Sequence, residues 1–89
     1  MLKTRQLEKI VKGFANHRRI EIMNLLSKSP NLPLFEIADR VKINFKTASE
    51  HVRRLSIAGL VDKRYKGSKV YHKLSKIGND ILKFLRILE

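Results

Sequence analysis

Residues 44–61 read NFKTASEHVRRLSIAGLV. Ala48, Val52 and Leu55 recur at helical spacing and so share one face, with His51 at its edge. Lys46, Thr47, Ser49, Glu50, Arg53 and Arg54 fall away from that face. Asn44 offers a side-chain oxygen to the first free amides of a helix, so the run predicts a helix over 45–58. Gly59 can take the left-handed conformation that ends a helix, and Leu60 can fold back onto the last turn. Such a segment must put one side into a core and leave a cationic side outside it.

The flanking sequence supplies the other elements. Leu7, Ile10, Val11, Phe14 and Ala15 form one helical face within residues 5–15. Asn16 caps a second predicted helix, HRRIEIMNLLSK, which buries Ile20, Met23 and Leu26. Pro30 and Pro33 lack an amide hydrogen, so SKSPNLP (27–33) reads as a loop. Leu34, Ile37, Ala38 and Val41 mark a short third helix, LFEIADRV. After Gly59 the period changes to two: Val61, Lys63 and Tyr65 alternate with Asp62, Arg64 and Lys66, and Val70, His72 and Leu74 with Tyr71 and Lys73. Two such runs around KGSK predict a β-hairpin. Ser75 then caps a last helix carrying Ile77, Ile81, Phe84, Leu85 and Leu88 on one face, with Leu82 and Ile87 beside it. That face is wider than a small domain needs from its terminal helix.

The predicted class is therefore mainly α with one small hairpin, in the order α-α-α-α-β-β-α, over a single domain of residues 1–89. A chain of this length builds a thin core, and self-association would help it. Without cysteine, disulfides and thiolate metal sites are excluded, and a reducing cytoplasm is expected. No signal peptide is read, and no apolar run approaches a membrane span.

Twenty Lys and Arg stand against eight acids, a net charge of +12. The excess is concentrated. Residues 42–73 hold nine cations and two acids, residues 1–19 hold six and one, and the remainder cancels. A short helix joined through KIN to a longer one is a helix-turn-helix arrangement, whose second helix fits the DNA major groove. On that helix Arg53 and Arg54 suit guanine or phosphate, Lys46 suits phosphate or guanine, and Thr47 and Ser49 suit either bases or phosphates. Glu50 repels phosphate but can accept from a cytosine amino group. Lys63, Arg64, Lys66 and Lys69 surround the hairpin tip at Gly67-Ser68, where they can follow the backbone or enter the neighbouring minor groove.

TASEHVRRLSIAGLVDKRYKGSKVYHKLS resembles the recognition helix and wing of winged helix-turn-helix transcription regulators of the ArsR type. HRRIEIMNLL and LPLFEIADRVKINFKTASEHV resemble the second helix and the helix-turn-helix of that family; similar words occur in MarR-like groups. The resemblance runs from about residue 7 to 88. It implies a homodimer, paired through its first and last helices, on a roughly palindromic operator; sequence-specific binding of double-stranded DNA as a transcriptional regulator is expected, with repression favoured and activation left open. Leu7, Ile10, Phe14, Ile81, Phe84, Leu85 and Leu88 would make the interface. Lys46, Thr47, Ser49, Glu50, Arg53, Lys66 and Lys69 match its DNA-contact positions, and Glu50 stands where the family usually has Arg or Gln-like residues. A cytoplasmic protein on a prokaryotic nucleoid is expected.

Pro33 and Phe35 occupy the positions where metal-sensing members carry the cysteines of C-x-C-D-L, and no histidine follows His72 to join Asp80. No metal and no cofactor are expected, and no effector is identified. His51 reads as a packing histidine, His17 and His72 as surface or helix-start residues, and Lys3, Arg5, Lys9 and Lys12 as a solvated helix face. No nucleophile motif or phosphate-cradling glycine loop argues for an enzyme. Two readings stay open beside DNA-binding regulation: a winged helix used as a protein–protein module, and an architectural binder with little sequence preference.

Overall fold

A computed structural model describes all residues, Met1–Glu89. Five helices and three strands follow in the order α1 (Thr4–Phe14), α2 (His17–Lys28), β1 (Leu32–Pro33), α3 (Leu34–Val41), α4 (Phe45–Ile57), β2 (Val61–Lys66), β3 (Lys69–Leu74) and α5 (Lys76–Ile87). The helix starts follow local chemistry. Asn16 Oδ1 accepts from the Arg18 and Arg19 amides at 2.9 and 3.2 Å. Asn44 Oδ1 accepts from Thr47 N at 2.7 Å, and Ser75 Oγ accepts from Gly78 N at 3.0 Å. Each bond satisfies an amide that the helix itself leaves free.

Helix α4 stops as expected. Gly59 has φ 79°, and Leu60 N reaches back to Leu55 O at 2.9 Å. Leu60 is then fully buried, a transfer that stabilises by about 1.5–3 kcal/mol. The core joins Ile22, Met23 and Leu26 of α2, Ile37 and Val41 of α3, Val52 and Leu55 of α4, Leu60, Val61 and Leu74 around the hairpin, and Leu82 of α5. Most of these are the apolar positions that the helical spacing singles out.

The expected hairpin is present as β2 and β3, and a third strand joins it: the sheet is antiparallel in the order β1-β3-β2. Leu32 pairs with His72 and Pro33 with Tyr71, inside the stretch read as a loop. That pairing also corrects the reading of His72 as a surface residue. His72 is 3% exposed, and its Nδ1 lies 2.9 Å from Leu32 O, which accepts its proton. A two-residue strand containing proline has no period of its own and is held by a partner forty residues away.

Two of the residues assigned to a dimer contact, Ile10 and Phe14, are buried in the core of their own protomer. They lie on the side of α1 that packs on α4, so their side chains are not free for a partner. Helix α5 is turned likewise: Leu82 is its deepest residue, and Ile81 and Leu85 are half-buried against the core. Leu7 on α1, and Phe84 and Leu88 on α5, stay exposed, as do Val11, Ile77 and Ile87.

Candidate nucleic-acid interface

Helices α3 and α4 are locked together by Ile37, Ala38 and Val41 on one and Ala48, Val52 and Leu55 on the other, all buried. The turn between them is tight. Lys42 adopts φ 62°, ψ 48°, a left-handed conformation that a non-glycine residue accepts at a cost of about 1–2 kcal/mol. The Lys42 and Ile43 amides bond to Asp39 O and Ala38 O at 3.3 and 3.1 Å. This fixes the direction in which α4 leaves.

The apolar stripe of α4 faces inward, so its other residues face solvent. Lys46, Thr47, Ser49, Arg53 and Arg54 are exposed, and Glu50 is half-buried. Glu50 is held by a forked contact: Arg53 Nε and Nη2 donate to Oε1 at 2.8 and 2.6 Å, and Nη2 also reaches Oε2 at 3.1 Å. Arg54 Nε lies 3.8 Å from the same carboxylate. The hydrogen bond from Arg53 holds the Glu50 carboxyl below its ordinary pKa, and the charges of Arg53 and Arg54 add to the effect. In the free protein, then, one expected base-reading arginine is occupied by a side chain of its own helix.

His51 is half-buried, as a packing histidine should be, and its Nδ1 has no hydrogen-bond partner. Burial, with the charges of Arg19 and Arg54, lowers its pKa. It therefore favours the neutral form beside a strongly cationic surface.

Strands β2 and β3 form the wing. Gly67 turns the tip at φ 63°, and Lys66 pairs directly with Lys69. Lys63, Arg64, Lys66 and Lys69 are all exposed, but they do not form one row. Lys63 and Lys69 line a cleft of about 680 Å³ between the wing and the starts of α3 and α4. Arg64 and Lys66 line an adjoining hollow that shares Asn31, Tyr65 and Tyr71 with the first cleft. The first cleft also exposes Phe35, Phe45 and Tyr65. Sequence reasoning missed these rings; an aromatic residue at the first position of a cationic helix was the available signal.

A helix-turn-helix followed by a cationic hairpin that packs back on it defines a winged helix-turn-helix protein. The structure matches the homodimeric winged helix-turn-helix DNA-binding domain Mb0332 of Mycobacterium bovis, a possible ArsR-family transcriptional regulator, with a TM-score of 0.85 and 26% identity over 94% of this chain and 78% of that one. It matches HlyU of Vibrio cholerae N16961 with a TM-score of 0.83 and 27% identity over 99% and 97% of the two chains. The profile of the bacterial regulatory protein, arsR family, matches residues 16–63, and the chain belongs to that family. The HTH-type transcriptional regulator Rv0324 of Mycobacterium tuberculosis is 29% identical over 84 residues, 94% of this chain. The chain spans 36% of the length of that relative.

Proposed function

We propose that residues 1–89 act as one winged-helix DNA-binding domain of a transcriptional regulator. It binds a specific duplex sequence as a homodimer and represses by occupying the site, without a cysteine metal sensor. Helix α4 enters the major groove. Lys46, Thr47, Ser49, Glu50, Arg53 and Arg54 face the bases and flanking phosphates, and Lys63, Arg64, Lys66 and Lys69 of the wing meet the backbone. The observation that carries this reading is the division of α4: an apolar stripe fully committed to the core, and an opposite side that is exposed and cationic. Nothing in the fold consumes those cations except Glu50. DNA supplies the dense negative charge that they suit.

The dimer rests on the exposed apolar residues of the first and last helices: Leu7 and Val11, and Ile77, Phe84, Ile87 and Leu88. The Mycobacterium bovis domain, described as homodimeric, supports the same reading. Selection from random duplex DNA, followed by a salt titration on the selected site, tests the proposal. A defined, roughly palindromic motif is expected, with affinity falling steeply as salt rises. Failure to enrich any motif, with no salt-sensitive binding, would contradict it and favour a protein–protein role.

A further inference from the structure

Lys9, Lys12, Arg19, Arg53 and Arg54 line one cleft of about 250 Å³, where α1, the start of α2 and the second half of α4 meet. From the sequence, Lys9 and Lys12 read as part of a solvated helix face, more than forty residues away from the arginines of α4. The fold brings them together because α1 crosses α4 at close range. A Cβ on Gly13 would overlap Ala58 Cβ, so only glycine allows this approach. Arg19 secures the corner: its Nη1 donates to Gly13 O at 3.0 Å and to Lys12 O at 3.3 Å. Its Nε is buried without a partner. Burial lowers the Arg19 pKa, the charge of Arg54 adds to the shift, and Glu50 opposes it. Two carboxylates lie near, Glu8 at 3.3 Å from Lys12 and Glu50 at 2.6 Å from Arg53, so five cations meet two acids.

A helix lying in the major groove has a sugar–phosphate backbone on each side of it, across a groove about 12 Å wide. The wing cations serve one side. Arg53 belongs both to this cleft and to the outward surface formed by Phe45, Lys46, Ser49 and Glu50, so the cleft continues the recognition face on the other side. We propose that the α1–α2–α4 cleft is a second phosphate site, in which Lys9, Lys12 and Arg54 hold the backbone strand opposite the wing, with Arg19 as a positioning residue. The inference rests on the DNA-binding reading above. It adds α1 to the interface: Leu7 and Val11 flank the buried stripe of this helix on one side, and Lys9 flanks it on the other.

The test compares the salt dependence of duplex binding in the wild-type protein, in K9Q/K12Q, and in K3Q/R5Q. The last removes equal charge from α1 at positions outside the cleft. R54Q is measured as a second cleft variant, and circular dichroism confirms the helix content of each. Each lost phosphate contact flattens the plot of log K against log salt by about 0.9. K9Q/K12Q is expected to flatten it by about 1–2 per protomer and R54Q by about 1, with K3Q/R5Q close to wild type and the specific-to-random affinity ratio of K9Q/K12Q unchanged. Equal flattening by both α1 pairs would reduce the cleft to a diffuse field and overturn the proposal. So would an unchanged slope in K9Q/K12Q. Titration with inorganic phosphate, followed by NMR, separates the other source of the same chemistry. Saturable shifts at Lys9, Lys12 and Arg54 without a slope change would assign the cleft to a free anion instead. Wild-type protein that binds no duplex would defeat the functional reading itself, whereas binding with an unmoved slope defeats only this cleft.

Discussion

Glu50 closes on Arg53 at the centre of the surface proposed to read DNA. About half of each side chain is open to water, which screens the pair, so it contributes little to stability. Its consequence lies in the proposed recognition, in which Arg53 would exchange one carboxylate for a base edge or a phosphate. Arg53→Ala is expected to weaken binding to the selected site by about 1–3 kcal/mol if the guanidinium meets a base. Equal weakening on all sequences would make it a phosphate contact. Glu50→Gln frees Arg53 and removes a repulsion, so fluorescence anisotropy should show tighter binding to random duplex and a smaller specific-to-random ratio. An unchanged ratio would deny Glu50 any part in selectivity. His72 belongs to the same scale. Burial lowers its pKa, the Leu32 carbonyl opposes the shift, and the Lys63 charge adds to it. As pH falls through about 6.5, the unfolded chain takes up the proton before the folded one. Stability is therefore complete above that pH and declines as pH falls towards the lowered folded value; His51 acts in the same sense. Urea midpoints should drop between pH 7 and 5, and His72→Asn should flatten that drop. An equal drop in the variant would contradict the assignment.

At the scale of elements, the legible parts were those coded locally. Asn16, Asn44 and Ser75 cap where a side-chain oxygen before an apolar run says they should, and Gly59 stops α4 because little else adopts its φ at no cost. The outward side of α4 follows from the same spacing, so its exposed residues are legible in the sequence. Contacts made across the chain were not legible. Strand β1 exists only through β3, and the burial of His72 follows from that pairing. The bearing of α1 and α5 on the core is not coded locally, because a wide apolar helix has several faces to offer and packing decides which one turns inward. Ile10, Phe14 and Leu82 went in, and Leu7, Phe84 and Leu88 stayed out. The turn before α4 holds a residue that spacing could not mark as strained. Lys42→Gly should raise stability by up to about 1 kcal/mol, seen as a higher denaturant midpoint, because glycine adopts φ 62° without a Cβ clash. A loss of stability would mean that the lysine side chain is needed there.

For the molecule as a whole, the core leaves apolar residues exposed on α1 and α5 and cationic residues exposed on α4 and the wing. The first are proposed to join two copies and the second to meet DNA. Phe84→Glu, placed on an exposed position of α5, should leave the fold intact and shift sedimentation at micromolar concentration from dimer to monomer. A wild-type protein already monomeric there would remove the dimer from the account. The most direct test is amide chemical-shift mapping on addition of the selected duplex. The predicted result is a set of perturbations concentrated in residues 44–54 and 61–71, joined by Lys9 and Lys12 where the α1–α2–α4 cleft is engaged, with the exposed apolar side of α5 unmoved. Perturbations confined to α5, with none on α4 or the wing, would contradict it.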